Sequence, residues 1–216
     1  MEMVGQLCME INRHIVNRPL GRRPNVEEVK TAEKRRASFL ASISKDMLNA
    51  EDQLPAAISR LNASPRSKLN RIYLVADELS NARSPFVACA KGCSACCHMN
   101  VSVTRAEAER LGAAVGRRPV EIRETVLHAS NEFSGKACPF LDAAGSCSIY
   151  ADRPLACRKH ASFFEDDLAC QTGVMNEVEV PMVSFSGLDE ALFTVSAKQG
   201  KVVLADIRDF FPPEHP

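Results

Sequence analysis

The sequence contains no tryptophan, only two tyrosines and only ten glycines among its 216 residues. None of its apolar runs approaches the roughly 20 residues that a membrane-spanning helix needs. Its 27 basic and 27 acidic side chains cancel, and a neutral chain is not typical of a protein devoted to nucleic acid. No Gly-x-Gly motif follows a strand pattern, which disfavours a dinucleotide-binding fold. With 45% apolar and 25% charged residues, the composition favours a water-soluble globular protein.

Cysteine is the residue that the sequence has in excess. There are nine, and eight of them fall between Cys89 and Cys170. The first residues carry Glu2 and no apolar stretch, whereas a secretory signal has basic residues followed by an apolar segment. We therefore expect the protein in the cytoplasm, where thiols stay reduced and clustered cysteines indicate metal ligands rather than disulfides. Cys8 has no other cysteine near it in the sequence and is expected to be a small apolar residue.

Apolar periodicity predicts a mainly α fold (α+β with few short strands), in which helices are joined by loops. The N-terminal helices are expected over residues 2–16, over residues 26–48 and from Pro65 onward. Asn25 and Glu28 form a capping box that starts the second of these helices. Its apolar face is expected to hold Val29, Ala37, Leu40, Ile43 and Met47. In the helix from Pro65, helical spacing places on one face Leu69, Ile72, Tyr73, Ala76 and Leu79.

Further helices are expected in the rest of the chain. Thr104 and Glu107 cap a helix over residues 104–115, and Pro119 opens another. That second helix would have an apolar side made of Val120, Ile122, Val126, Leu127 and Phe133. The remaining expected elements are a helical turn after Pro154, strands over residues 178–183 and 201–204, and a helix over residues 188–197.

Three regions are predicted along the chain. Residues 1–85 form a helical N-terminal region, residues 86–172 a loop-rich metal-binding domain, and residues 173–216 a C-terminal segment with short strands and a helix. The N-terminal helices are a candidate surface for a protein partner or for self-association. Basic stretches at residues 22–23, 34–36 and 117–118 are expected to be solvated rather than bound to nucleic acid, because no aromatic residues are interleaved with them.

The first cysteine cluster lies at residues 89–97 and holds the thiols of Cys89, Cys93, Cys96 and Cys97. Thiolates separated by two or three residues on a tight turn can converge on one ion, with Zn–S distances of about 2.3 Å. Gly92 permits such a turn. Successive side chains of extended backbone point to opposite faces, so Cys96 and Cys97 are expected to serve two sites, or one binds metal while the other supports it.

The second cluster spans residues 138–170 and adds the thiols of Cys138, Cys147, Cys157 and Cys170. A turn at residues 143–145 is expected to bring Cys138 and Cys147 together as in a hairpin. Eight thiols suit two closed four-thiolate sites, or one iron–sulfur cluster with a second metal. One possible partition draws on both clusters for each ion. A set of small buried thiols without metal is disfavoured by the dense spacing, but for Cys170 the two interpretations balance.

Charged and imidazole side chains accompany the thiols. A zinc ion with four thiolates carries net negative charge, which is costly to bury without compensation. Arg153 and Arg158 adjoin the cysteines in the sequence and are candidate donors to sulfur, or else exposed charges of a loop. His98 and His160 are alternative ligands if a site lacks its fourth thiolate. The more ordinary interpretation is a histidine that hydrogen-bonds beside the site or is exposed.

Five segments of this region form a combined pattern at residues 92–97, 104–108, 138–141, 145–150 and 153–158. In combination they resemble the YkgJ-type cysteine-cluster family, which is described as a zinc- or iron-chelating domain. They are also similar to the cysteine region of flagellin lysine N-methylases. The resemblance implies metal chelation and specifies neither the metal nor a reaction. Three residues separate Cys89 from Cys93, where the family pattern has two.

Three functions are compatible with these patterns. The first is a metal-binding protein whose zinc or iron is structural. The second is an iron–sulfur, methylase-like enzyme. The spacing from Cys89 through Cys93 to Cys96 is that of a radical S-adenosylmethionine cluster loop. However, few strands are predicted, and Ala95 occupies a position where those enzymes favour an aromatic residue. The third is a zinc-supported module for nucleic-acid or protein interaction. We favour the first, and zinc over iron or a 4Fe-4S cluster, since no Cys-x2-Cys-x2-Cys run is present.

Overall fold

The structure is a computed structural model that describes residues 22–174, 177–198 and 200–213. In these ranges the chain forms eight α-helices and one two-stranded antiparallel sheet, with a helical fraction of 49%. The predicted mainly α fold with few short strands is confirmed. Among the described residues, no helix combines the length and apolarity that crossing a membrane would require. The predicted helix over residues 2–16 and Cys8 lie outside the described residues.

The helices are, in chain order, α1 (Val26–Ser42), α2 (Lys45–Asp52), α3 (Leu54–Arg60), α4 (Pro65–Arg83), α5 (Arg105–Val115), α6 (Leu155–Lys159), α7 (Ser186–Ala197) and α8 (Ile207–Phe210). The two paired strands are β1 (Ser102–Thr104) and β2 (Leu204–Asp206). Short 3-10 helices cover Ser84–Phe86, Ala95–His98 and Leu168–Cys170. Each strand leads directly into a helix, and because the strands are antiparallel, α5 and α8 start at opposite ends of the sheet.

Helix α1 begins where the sequence predicts, because the predicted capping box forms. Oδ1 of Asn25 accepts the Glu28 N–H at 3.0 Å, and the Glu28 carboxylate accepts the Asn25 N–H at 2.7 Å. The helix ends at Ser42, earlier than the predicted residue 48. The side chain of Ser44 accepts the N–H of Met47 and thereby caps a separate helix, α2.

The predicted apolar face over residues 26–48 is confirmed at Val29, Ile43 and Met47, which contact the core, but not at Ala37 and Leu40. Phe39 is fully buried, whereas Ala37 is exposed and Leu40 is 41% exposed. The Phe39 ring packs against three aromatic rings, those of Phe86, Phe163 and Phe185. Aromatic rings bury more apolar area than aliphatic side chains, so the helix turns Phe39 rather than its neighbours toward the core.

Several predicted helices are confirmed. Ser64 caps α4 and Pro65 occupies its first turn, and the five residues predicted for its apolar face are all buried. The capping box of Thr104 and Glu107 starts α5. The helical turn predicted after Pro154 is α6, and the helix predicted over residues 188–197 is α7.

The helix predicted from Pro119 is wrong. The structure describes residues 117–134 fully, and they contain no helix. Three of their apolar side chains, those of Val120, Val126 and Leu127, are exposed, and Ile122 packs partly buried against the core. The backbone runs instead beside the C-terminal segment, where the N–H groups of Val120 and Val126 donate to carbonyls of α8 and β2 at 2.8 and 2.9 Å.

The strands of the tail also differ from the prediction. Residues 178–183 are described and form no strand. Strand β2 begins at Leu204, three residues after the predicted start, and pairs with β1, which the sequence analysis missed. Strand β1 has only three residues, so it is too short for a period-2 pattern to reveal it.

Two apolar clusters form the interior. The larger is built mainly from α1–α4, α6 and α7. The smaller is built from both strands, α5, α8 and the loop residues Phe140 and Ile149. Three half-buried thiols pack against the smaller cluster, those of Cys138, Cys147 and Cys157. The cysteine loops are therefore supported from the side of the sheet.

Replacing Phe39 with alanine is expected to lower the free energy of unfolding by about 3–5 kcal/mol, since it empties a fully buried ring site. Leu40→Ala, one position along the same helix, is the control and is expected to change stability by less than about 1 kcal/mol. Urea denaturation followed by circular dichroism measures both variants. Equal losses would mean that Leu40 is as buried as Phe39, which would contradict the orientation of α1 in the structure.

Candidate metal centre

The first cysteine loop runs from the end of α4 to β1. Gly92 adopts the left-handed conformation with φ of +99°, and the Cys93 N–H closes a tight turn with a carbonyl three residues earlier at 3.0 Å. The 3-10 helix that follows carries Cys96 and Cys97. The adjacent cysteines thus lie on a helical turn rather than on extended backbone, and the Cys96 thiol donates a hydrogen bond to the Cys97 sulfur.

Cys138 and Cys147 lie on the two arms of a tight loop, as the turn at residues 143–145 predicts. Leu141 and Cys147 form an isolated antiparallel bridge. One carboxylate oxygen of Asp142 accepts two backbone N–H groups of the turn at 2.8 and 2.9 Å. Gly145 has φ of +74°, a conformation that glycine adopts without strain.

The two cysteine loops are joined to each other through their backbones. The Cys138 N–H donates to the Cys97 carbonyl at 2.8 Å, and the Gly135 N–H donates to the His98 carbonyl at 2.9 Å. These bonds bring the first and second sequence clusters to one place in the fold.

Cys157 lies on α6, a helix that buried charged side chains anchor at both ends. At its start, the Leu155 N–H donates to Oε1 of Glu107 at 2.8 Å, and the same oxygen accepts the Tyr73 hydroxyl at 3.1 Å. At its end, the Arg83 guanidinium donates to two carbonyls at 2.6 and 3.0 Å. Helices α4 and α5 therefore fix the position of the Cys157 thiol.

Seven of the thiols fall into two groups. We call Cys97, Cys138, Cys147 and Cys157 the four-thiol group, and in it all six pairs of sulfurs interact electrostatically. We call Cys89, Cys93 and Cys170 the three-thiol group, in which all three pairs interact. Each group combines thiols from both sequence clusters, as one of the predicted partitions has it.

Cys96 stands between the two groups, which also interact directly through Cys93 and Cys97. Its thiol interacts with Cys97 and Cys157 of the four-thiol group and with Cys93 of the three-thiol group. Cys96 is therefore near enough to both groups to be a candidate ligand for an ion bound at either of them.

Backbone N–H groups donate to several of the sulfurs. Cys93, Cys138 and Cys147 each accept a hydrogen bond from the N–H group two residues further along the chain. The Ser162 N–H donates to Sγ of Cys89 at 3.4 Å, and the Ser162 hydroxyl bonds to Cys170. Donors directed at sulfur stabilise the thiolate, which is the form that binds metal.

Burial keeps most of these thiols protonated in the metal-free chain. It raises the pKa of Cys138 to about 11 and that of Cys170 to about 12, and it raises the pKa of Cys157 as well. The hydrogen bond between the adjacent cysteines holds a proton on Cys96, whose pKa is raised, and lowers the pKa of Cys97. A metal ion must displace these protons, so chelation by these thiols strengthens as the pH rises.

The two arginines singled out in the sequence occupy different surroundings. Arg153 stacks on the Tyr150 ring at 4.0 Å and interacts with the Cys147 thiol. The Arg158 guanidinium donates to the Asp77 carboxylate at 2.6 Å and to two loop carbonyls. Arg158 therefore ties α6 to α4 rather than pointing its charge at sulfur.

Two further arginines lie beside the thiols, and sequence reasoning missed both. Arg208 interacts with Cys97 and Cys138, and Arg83 interacts with Cys89. Arg208 stands 111 positions from Cys97 in the chain. No local pattern could have indicated the contacts of Arg208, because the fold alone brings this residue to the cysteine loops.

The two histidines remain alternative ligands. Nδ1 of His98 lies 3.2 Å from the Ser94 carbonyl. Nε2 of His160 is buried and has no hydrogen-bond partner among the described residues. Burial, with the neighbouring Arg83 charge, lowers the pKa of His160, which favours the neutral imidazole that can bind a metal.

The thiol groups are not preformed ligand shells. Within the ranges that the structure describes, no three His, Cys, Asp or Glu side chains are spaced to hold one ion. The chemistry of the donors nevertheless fits zinc or iron, since thiolates are the ligands that both metals select. Ligation requires the side chains of each group to close on the ion.

Residues 88–177 match the model of the CxxCxxCC family, which is described as a "putative zinc- or iron-chelating domain". The matched range contains both thiol groups and Cys96, and the match confirms the resemblance to a cysteine-cluster family. Helices α1–α4, α7 and α8 and strand β2 lie outside it. No curated protein and no solved structure matches the chain.

The two carboxylate oxygens of Glu107 accept the N–H groups of Thr104, at the start of α5, and of Leu155, at the start of α6. Glutamine has only one oxygen, so one of these buried N–H groups loses its acceptor in Glu107→Gln. We expect this variant to lower the free energy of unfolding by about 1–3 kcal/mol. Glu107 is 1% exposed, and the exposed Glu78 on α4 offers the same change of charge as a control. We expect Glu78→Gln to cost less than about 0.5 kcal/mol. Urea denaturation compares the two, and a neutral Glu107→Gln would contradict the anchoring role.

Proposed function

We propose that this chain, through the cysteine-cluster domain at residues 88–177, binds two metal ions with eight thiolates and that the ions hold its loops together. The four-thiol group carries the proposal, because a backbone hydrogen bond of 2.8 Å joins Cys138 to Cys97 and the thiols of Cys138, Cys147 and Cys157 pack against the same apolar cluster. Four thiolates are the number that closes a structural zinc site. The family description names zinc or iron as the chelated metal.

We assign the first ion to the four-thiol group and the second to the three-thiol group with Cys96. Cys96 is the remaining thiol of the matched range, and it interacts with Cys93 as well as with Cys97. This assignment gives each of the two adjacent cysteines its own ion. It also gives each ion four thiolates, so neither needs His98 or His160.

A structural role is supported by how little else orders the loops. Residues 116–154, between α5 and α6, contain no helix or strand and are joined by scattered hydrogen bonds and one isolated bridge. A thiolate-rich zinc site contributes on the order of 10 kcal/mol of folding free energy. That is comparable to the whole net stability of a typical domain, about 5–15 kcal/mol.

The positive charges near the thiols support the same assignment. A zinc ion with four thiolates is net negative and is costly to bury alone. Arg153 and Arg208 lie beside the four-thiol group, and Arg83 lies beside the three-thiol group. Each proposed ion thus has at least one guanidinium near its sulfurs.

We favour zinc over iron as the bound metal. Thiolate softness does not discriminate between them, since zinc and iron–sulfur clusters both prefer sulfur. The four-thiol group draws its ligands from three separate stretches of chain, none of which has the run of cysteines typical of ferredoxins. The adjacent cysteines suit two separate tetrahedral ions better than one cluster.

The two alternative functions have less support. In the described ranges the sheet has two strands, so the strand-and-helix barrel of radical S-adenosylmethionine enzymes is not formed there. Several of the basic residues considered for nucleic acid form ion pairs within the chain: Arg23 pairs with Glu177 and Arg36 with Glu33. Association through the N-terminal helices and a cytoplasmic location remain predictions.

Elemental analysis of protein purified without oxygen is expected to find about two zinc ions per chain and no visible colour, since zinc has a filled d shell. Iron with acid-labile sulfide and a brown colour would instead favour the iron–sulfur alternative. Protein free of either metal that melts at the same temperature before and after chelator treatment would contradict the proposal.

Single cysteine variants test the assignment of ligands. Cys147→Ser is expected to release the first ion and Cys170→Ser the second, each leaving about one ion per chain. Cys8→Ser changes a thiol outside both clusters and is the matched control, with full metal content and an unchanged melting temperature. Metal content and thermal melting are measured on all three, and full retention in every variant would exclude the assignment.

A further inference from the structure

We propose that Arg208 is a positioning residue that holds the two cysteine loops at the spacing which the first ion requires, an inference that rests on the proposed function. Arg208 lies on α8, outside the residues that match the family, and is only 9% exposed. A guanidinium carries five N–H groups. The structure gives all five of them a partner.

Four of these partners are carbonyls, and they belong to both cysteine loops. On the first loop, Nη2 donates to the Cys97 carbonyl at 3.2 Å and Nη1 to the Met99 carbonyl at 3.1 Å. On the second loop, Nε donates to the Ala137 carbonyl at 3.2 Å and Nη2 to the Lys136 carbonyl at 2.6 Å. Each pair of carbonyls adjoins a member of the four-thiol group, so the guanidinium sets the distance between those thiols.

The fifth partner fixes the guanidinium in the fold. Nη1 donates to Oδ1 of Asp206 at 2.9 Å, and the other oxygen of Asp206 accepts the Val101 N–H at 2.7 Å. Asp206 ends β2 and is 3% exposed. The Phe133 ring packs on the guanidinium at 4.9 Å. The position of Arg208 is therefore determined by the sheet, and the loops follow it.

Only arginine can make this set of contacts. Its planar fork addresses several acceptors in one plane, whereas lysine offers three donors at one point. Without the guanidinium, four carbonyls lose a donor, and the loops keep only backbone links such as those from Cys138 to Cys97 and from Gly135 to His98. The loops could then separate while the rest of the chain stayed folded.

The test uses Co²⁺ as a spectroscopic substitute for zinc, added to the metal-free full-length chain under reducing conditions without oxygen. The variants are Arg208→Lys, Arg208→Gln and the control Arg105→Gln. Arg105 donates from Nη2 to the Ile122 carbonyl at 2.6 Å, so the control also loses an arginine–carbonyl contact, but one away from the thiols. Thiolate-to-cobalt absorption and competition with a chelator give the affinity of each ion.

We expect Arg208→Lys to lower the affinity for one of the two ions by about 10- to 100-fold and to leave the affinity for the other unchanged, as is usual for residues that orient metal ligands. Arg105→Gln should match the parent protein for both ions. In the Cys147→Ser background, where the first ion is already lost, Arg208→Lys should have no effect on the remaining ion. A general loss of folding would weaken that ion too.

Three results would overturn the inference. If Arg208→Lys binds both ions as tightly as Arg105→Gln does, Arg208 does not position the loops, and the proposed function stands. If Arg208→Lys also weakens the ion that remains in the Cys147→Ser background, its role is general stability. If the parent protein binds no cobalt, the proposed function fails and the inference fails with it. Should Arg208→Gln not fold, Arg208→Lys retains the charge and decides the question.

Discussion

A single backbone hydrogen bond, from the Cys138 N–H to the Cys97 carbonyl at 2.8 Å, marks the junction around which the cysteine region is built. Sulfurs that become thiolates repel one another, so they gather only where the backbone holds them and where positive charge or N–H groups face them. This junction has all of these, since donors reach the sulfurs of Cys138 and Cys147 and Arg208 lies alongside. Regular secondary structure contributes little here, and hydrogen bonds of side chains and backbone hold the loops in place instead.

The cations of the centre come largely from outside the residues that define the family. Arg83 ends α4 and reaches the end of α6, while Arg208 reaches the loops from α8. The N-terminal helices and the C-terminal segment therefore act on the cysteine region from two sides. A chain that kept the eight thiols but lacked Arg83 and Arg208 would keep the candidate ligands and lose two of the positive charges beside them.

The parts of this fold that the sequence predicts are those that depend on near neighbours. Capping boxes at Asn25 and Thr104 involve residues three positions apart, and they start helices where expected. The helix predicted from Pro119 is wrong because the N–H groups of that segment find acceptors in residues 204–210, which no local pattern encodes. The same limit holds for the candidate site: spacing singles out the eight cysteines, while their grouping and the contacts of Arg208 depend on the folded chain.

The short helical turn that carries Cys96 and Cys97 has a consequence for how metal is taken up. If the two residues serve different ions, one peptide unit of the 3-10 turn connects the two coordination spheres, and a shift of one sulfur would reach the other through that peptide. Filling one site would then pre-order a ligand of its neighbour, and the second ion would meet a lower entropic cost. Loading of such a centre is cooperative: at limiting metal, chains carrying both ions or none would outnumber chains carrying one.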